Sequence, residues 1–182
     1  MAVQEQVYGF FIPSVTLIGI GSHKEVPARM KSLGGKKTLL VTDKGITEAG
    51  LTKQITDLLE KEGLETVVFD ETVPNPTDDN VHKGMEIYQK NNCDSLITLG
   101  GGSAHDCGKG VGLVASNGGK IHDYESIDKS NKSLPPYLAI NTGVKEEDIA
   151  TMTSNAQKDA CGLTNPRCPK DEEVMAIYKA AL

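Results

Sequence analysis

The sequence predicts an α/β protein: a Rossmann-like parallel sheet with helices on both faces, followed by a short helical tail. Three observations carry this reading. Short apolar runs alternate with helix-period segments over residues 1–142, and strands joined through helices pair in parallel and are wrapped on both faces. The apolar runs end at turns, one of them in an acid, Asp43. The stretch Ser95 to Gly110 sets an apolar run directly before three consecutive glycines and a second helix-period segment, which reads as strand, tight turn and helix start.

Taken in order, Phe10-Phe11-Ile12-Pro13 followed by Val15 to Gly19 reads as extended structure broken by proline, then a strand. The segment from Ser22 to Leu33 has Val26, Met30 and Leu33 at helical spacing and stops at Gly34-Gly35. Lys37 to Thr42 is a buried strand with Asp43 at its C-terminal tip. Ligands of open α/β sheets bind beyond the carboxyl ends of strands, so Asp43 sits on the functional rim, although an acid there also serves as a turn former or helix cap. Ile46 to Gly63 reads as one amphipathic helix with Leu51, Ile55, Leu58 and Leu59 in a stripe, and Leu64 to Phe69 as a strand. Val73-Pro74-Asn75-Pro76-Thr77 makes a rigid loop in which Thr77 caps a helix carrying Val81, Met85 and Tyr88.

The glycine turn comes next. Gly100, Gly101 and Gly102 lack Cβ atoms, Ser103 stands as the expected N-cap, and the free amides of a helix start suit an anion such as a pyrophosphate. A plain glycine turn is the other reading. Asp106 and Lys109, three apart, share one face of the helix. After the break at Asn117-Gly118-Gly119 come a short element over Ile121 to Glu125, a polar run, and a last strand, Tyr137 to Ile140, ending in Asn141-Thr142. The tail holds Ile149, Met152 and Ala156 in helical phase and a final helix with Val174, Ile177, Tyr178 and Ala181 on its apolar side.

Composition narrows the function classes. The net charge of -6 on 182 residues, with basic residues scattered, argues against a nucleic-acid partner held through phosphates. No secretory h-region and no membrane-length apolar run is present, so a cytoplasmic location without membrane contact is expected. Cys93, Cys107, Cys161 and Cys168 show no C-x-x-C spacing and read as reduced thiols. Of the four histidines, His23, His82, His105 and His122, only His82 has a ligand-like spacing, to Asp78, and that pair reads as a capped, solvated helix start. His105 could approach a ligand at the turn, but no role is expected of it.

Gly-Gly-Gly-Ser-x-x-Asp-x-x-Lys, from Gly100 to Lys109, resembles the cofactor pyrophosphate loop of the iron-dependent (group III) alcohol dehydrogenases, relatives of lactaldehyde reductase and 1,3-propanediol dehydrogenase. The Phe-x-x-Pro start, the Val-Thr-Asp strand end, Pro-Asn-Pro-Thr at residues 74–77 and Asn-Pro-Arg at 165–167 are similar to the same family. The resemblance implies NAD as cofactor, bound by Asp43, Gly100, Gly101, Gly102, Ser103, Asp106, Lys109 and Thr142. Asp43 would accept from the adenosine ribose and repel a 2′-phosphate, disfavouring NADP. It also implies a homodimer through the first strands, with Phe10, Phe11 and Ile12 at the contact, although an edge strand on its own sheet explains them as well.

Thr142 is the last residue matching the family's cofactor-contacting loop, and residues 143–182 resemble the family's C-terminus. The reading is therefore a dinucleotide-binding domain, 1–142, joined to a C-terminal tail, 143–182. The Asp and His ligands that hold iron in the family lie between these blocks and have no counterpart here, so no metal is expected. Cys161 matches a cysteine that lines the family's substrate pocket, yet reads here as a small buried thiol. Two alternatives stand beside this: a compact metal-independent reductase using Lys109 or Tyr124, and a structural module without a ligand.

Overall fold

The computed structural model describes residues 15–17, 21–126, 129–142, 149–150, 153–154 and 170–181. Four parallel strands, β1 (Lys37–Val41), β2 (Glu65–Phe69), β3 (Ser95–Gly100) and β4 (Tyr137–Asn141), lie in the order β2-β1-β3-β4. β1 and β3 are central and almost wholly buried, as expected of short, mainly apolar runs in a parallel sheet covered on both faces.

Side chains alternate across the sheet and build two cores. Leu39, Val41, Phe69 and Leu96 pack with Val81, Met85 and Tyr88 of α4 (Asp78–Lys90) and Cys107, Val111 and Val114 of α5 (Gly102–Asn117). Leu40, Ile97 and Leu99 pack on the other face with Val26 and Met30 of α1 (Val26–Ser32) and Ile55 and Leu59 of α3 (Leu51–Lys61). The order reverses between β1 and β3: the chain leaves β1 outward to β2, then crosses back to β3 on the opposite face. In open α/β sheets the crevice that takes ligands lies at such a reversal, here above the carboxyl ends of β1 and β3.

Local chemistry departs from the sequence expectations in four places. The helix expected over Ile46 to Gly63 is two, α2 (Lys44–Glu48) and α3, because Gly50 takes a φ of 80° and restarts the helix as the N-cap of α3. Ser22 to Leu33 likewise divides into a 3-10 turn, Ser22–Glu25, and α1. Val15 to Leu17 form no strand and are exposed; Phe10, Phe11 and Ile12 lie outside the described residues. In the tail, Ile149 and Thr153 are buried, but Ile177 of α6 (Asp171–Ala181) is 66% exposed rather than covered.

Other expectations hold. Thr77 caps α4, accepting the Asn80 amide at 3.4 Å, and Cys93 and Cys107 are buried free thiols. Cys161, Cys168, Met152 and Ala156 lie outside the described residues. Among the described residues no helix is long and apolar enough to cross a membrane.

Candidate cofactor site

The crevice is edged by the chain's turns out of β1, β3 and β4. Thr42 donates its hydroxyl to the Leu99 carbonyl at 2.8 Å, and the Thr142 amide donates to the Gly100 carbonyl at 3.3 Å. The three strand ends are therefore fixed against one another.

Gly100 turns the chain at a φ of 140°, and a Cβ there would lie 3.3 Å from that of Ala104. Backbone conformation alone demands glycine at this position. Gly101 and Gly102 differ: neither has a positive φ, and a Cβ on either would meet no atom within 4 Å. Nothing in the protein asks for glycine there, while the backbone entropy glycine loses on folding argues against it. What two missing side chains do provide is an open cradle, against the first amides of α5, where an external group can come close.

Gly101, not Ser103, is the N-cap of α5, so the expected cap is displaced by two residues. The reason is the turn itself: once Gly100 has reversed the chain, Gly101 is already the flanking residue. Its lack of a side chain leaves the first-turn amides uncapped by the N-cap, and these have no intrahelical acceptor. The Ser103 hydroxyl instead accepts the Asn75 amide at 3.2 Å, tying the Pro-Asn-Pro-Thr loop to the helix start. Asn75 itself has a φ of 53°.

Asp43 is half-buried and caps α2, with Oδ1 accepting the Ile46 amide at 3.0 Å. Its Oδ2 faces the turn, 3.7 Å from where a Gly100 Cβ would stand. One oxygen does the capping work named for this position, and the other is turned toward the rim. Thr142 Oγ1, at the same rim, is a buried polar atom without a partner among the described residues, and an unsatisfied buried hydroxyl is costly unless something supplies its hydrogen bond. Asp43, the glycine cradle and Thr142 thus border one crevice.

Asp106 and Lys109 lie further along α5. They are exposed, 3.9 Å from each other, and line a separate cavity of about 290 Å³ between α4 and α5 with Asp78, Val81 and Ile121.

The histidines are dispersed. Asp78 pairs not with His82 but with His122 across 3.0 Å, and His82 Nε2 accepts the Ile121 amide at 3.5 Å. His122 is further bonded to Glu125 at 3.3 Å, and these two carboxylates, Asp78 foremost, raise its pKa above the ordinary imidazole value. Among the described residues no three or more His, Cys, Asp or Glu side chains are grouped to hold a metal. The donor groups among the described residues do not fit the iron that the family's Asp and His ligands hold.

His105 has a place after all. It is half-buried, with Nδ1 2.7 Å from Thr98 Oγ1 and Nε2 2.8 Å from Asn141 Oδ1. Tyr137 completes the group, its hydroxyl 3.0 Å from Thr98 Oγ1 and 3.4 Å from the His105 carbonyl oxygen.

Residues 13–170 match the description of the iron-containing alcohol dehydrogenases. The chain belongs to that family. Alcohol dehydrogenase 4 of Schizosaccharomyces pombe is 50% identical over 136 residues, covering 75% of this chain and 32% of that protein. The NAD-dependent methanol dehydrogenase of Bacillus methanolicus is 40% identical over 153 residues, covering 82% and 40%. Among solved structures, a 1,3-propanediol oxidoreductase superposes with a TM-score of 0.73 at 39% identity, over 75% of this chain and 36% of that one. The chain thus spans about a third to two-fifths of the length of these relatives. The match is to the family's N-terminal, NAD-binding region.

Proposed function

We propose that this chain is an NAD(H)-binding module of the iron-containing alcohol dehydrogenase family, in which residues 1–142 hold the dinucleotide and residues 143–182 form an appended tail. One observation carries the reading: Gly101 and Gly102 are glycines that no internal contact and no backbone angle requires, set against the uncapped start of a 16-residue helix. A pyrophosphate seated on the amides of Gly101, Gly102 and Ser103 gives those glycines their reason. When bound, the nicotinamide supplies the hydride acceptor or donor.

The chain's own groups bind and orient. In this reading Asp43 Oδ2 accepts a hydroxyl of the adenosine ribose, and Gly100 shapes the turn that aims the α5 amides. Thr142 Oγ1 finds its missing partner on the ligand. Asp106 and Lys109, a turn or two further along α5, bring a carboxylate and an ammonium to the bound cofactor. A relative named for NAD dependence supports NAD as the cofactor, and the Asp43 carboxylate disfavours the 2′-phosphate of NADP. Because the donor groups among the described residues do not fit iron, we propose that the chain binds cofactor without metal-dependent alcohol oxidation of its own.

Titration of the purified chain with NADH and NADPH, with and without ferrous iron or zinc, tests this reading. Binding of NADH that is tighter than that of NADPH and indifferent to metal is expected. Asp43→Gly should narrow the NADH to NADPH affinity ratio; an unchanged ratio removes Asp43 from the site. Chelator-sensitive NADH formation from short alcohols would overturn the claim that catalysis is absent.

A further inference from the structure

The hydrogen bonds around His105 all run one way. Asn141 Oδ1 is a carbonyl oxygen and only accepts, so the imidazole facing it carries its proton on Nε2. In the neutral ring Nδ1 is then the acceptor, taking the hydrogen of the Thr98 hydroxyl at 2.7 Å. With its own hydrogen committed, Thr98 Oγ1 can only accept from the Tyr137 hydroxyl at 3.0 Å, whose single hydrogen is shared with the His105 carbonyl oxygen at 3.4 Å. The relay is Tyr137 to Thr98 to His105 to Asn141, each group donating to the next.

Such a relay fixes the amide at its end. Asn141 is exposed, the last residue of β4, and stands opposite Gly100 in the strand register. With Oδ1 held by His105, the carboxamide cannot flip without setting an NH2 against an N–H. Its Nδ2 has no protein acceptor among the described residues, and the residue stands in register with the first glycine of the turn. Thr142, its neighbour, holds a buried hydroxyl that lacks a partner among the described residues. A locked amide donor next to an open cradle is an arrangement for reading an acceptor atom.

We propose that Asn141 binds a phosphate or sugar oxygen of the dinucleotide through Nδ2, and that His105 is the positioning residue that aims it. The inference rests on the cofactor reading above and adds two residues to it. His105 never touches the ligand; it acts through the orientation of Asn141.

Two conservative substitutions separate the halves of the imidazole. His105→Gln keeps a donor near the Nε2 position and so keeps Asn141 aimed, whereas His105→Asn keeps only a group near Nδ1 and releases it. NADH affinity is measured by fluorescence titration for the parent, both His105 variants, Asn141→Ala and the double variant His105→Asn with Asn141→Ala. The Asn141 side-chain amide signals are followed by 15N NMR on addition of NADH.

Loss of one hydrogen bond to the ligand weakens binding about fivefold. Asn141→Ala and His105→Asn should each show that loss, the double variant should be no weaker than either, and His105→Gln should stay within about twofold of the parent. The Asn141 amide signals should move on NADH addition in the parent and in His105→Gln but not in His105→Asn. Unchanged affinity in Asn141→Ala, equal loss in both His105 variants, or losses that multiply in the double variant would each overturn the proposal. Asn141 is exposed, so its truncation decides the matter even if a His105 variant fails to fold. Failure of the unaltered chain to bind NADH would overturn the cofactor reading along with this one; binding by the parent with unaltered affinity in the variants would overturn this one alone.

Discussion

Replacing Gly102 with alanine should make the protein more stable and a poorer cofactor binder at once. Gly102 is the first residue of α5 and its added methyl meets no atom within 4 Å. The folded state therefore accommodates alanine without strain, while the unfolded chain loses glycine's freedom, a gain of about 0.5 kcal/mol. For a chain of this size that raises the melting temperature by about 1–2 °C. On the ligand side the same methyl fills the cradle. A phosphate pushed off the α5 amides loses at least one hydrogen bond to a charged group, about 1.5–3 kcal/mol, or roughly tenfold to a hundredfold in affinity for NADH. Differential scanning calorimetry of the free chain and calorimetric titration with NADH read the two effects separately. An alanine variant that binds NADH as the parent does, or melts several degrees lower, would refute the argument that Gly101 and Gly102 are glycines for the ligand's sake.

Gly108→Ala tests the opposite kind of glycine. A methyl there overlaps Thr98 Cγ2, and forcing α5 off β3 should cost about 1–3 kcal/mol despite alanine's better helix propensity, read as a lower urea midpoint. Thr77→Ala removes the cap that accepts the Asn80 amide and should lower stability by about 1 kcal/mol with NADH affinity intact. The third concerns His122, whose pKa is raised by its hydrogen bonds to Asp78 and then Glu125, and Asp78, whose pKa is lowered chiefly by His122. A raised imidazole stabilises below its unfolded pKa and loses that contribution as pH rises through the folded value; the depressed Asp78 loses its own as pH falls through its folded value. The melting temperature of the parent should therefore decline slightly between about pH 6 and 8, and His122→Gln should abolish that slope. A slope that persists in the variant would assign it to another group.

Much of the sheet was legible because its central strands are written in continuous apolar letters: Lys37 to Val41 and Ser95 to Gly100 read as buried strands and are. Thr77 was legible as a cap because hydroxyl capping is a local event, decided within three residues. The break at Gly50 was not, since the leucine and isoleucine period of α3 continues smoothly back through it and only a positive φ interrupts the helix. Ser103 was misplaced for a related reason: a serine after glycines looks like a cap, but the turn at Gly100 starts the helix sooner. The partners of His105 and Asp78 left no signal at all. Asn141 is 36 residues from His105, and His122 is 44 from Asp78, and no periodicity reports a pairing between elements that only the closed fold brings together. The glycine turn itself was read correctly as a turn; that two of its glycines are idle within the protein needed coordinates.

The composition of α5 has a consequence for how this crevice comes into being. Four of the helix's residues, Gly102, Gly108, Gly110 and Gly112, are glycines, together worth on the order of 3–4 kcal/mol of lost helix propensity relative to alanine. Those at 108, 110 and 112 let the helix lie against Thr98, Val81, Leu96 and Leu134. The segment is thus too weak a helix former to stand alone and too closely seated to be replaced by a stronger one. Excised as a peptide, residues 95–117 would be a random coil with no concerted set of amides to offer an anion. The crevice arises late, as a product of the sheet's assembly, and grafting it elsewhere would mean transplanting β3, β4 and α4 along with it.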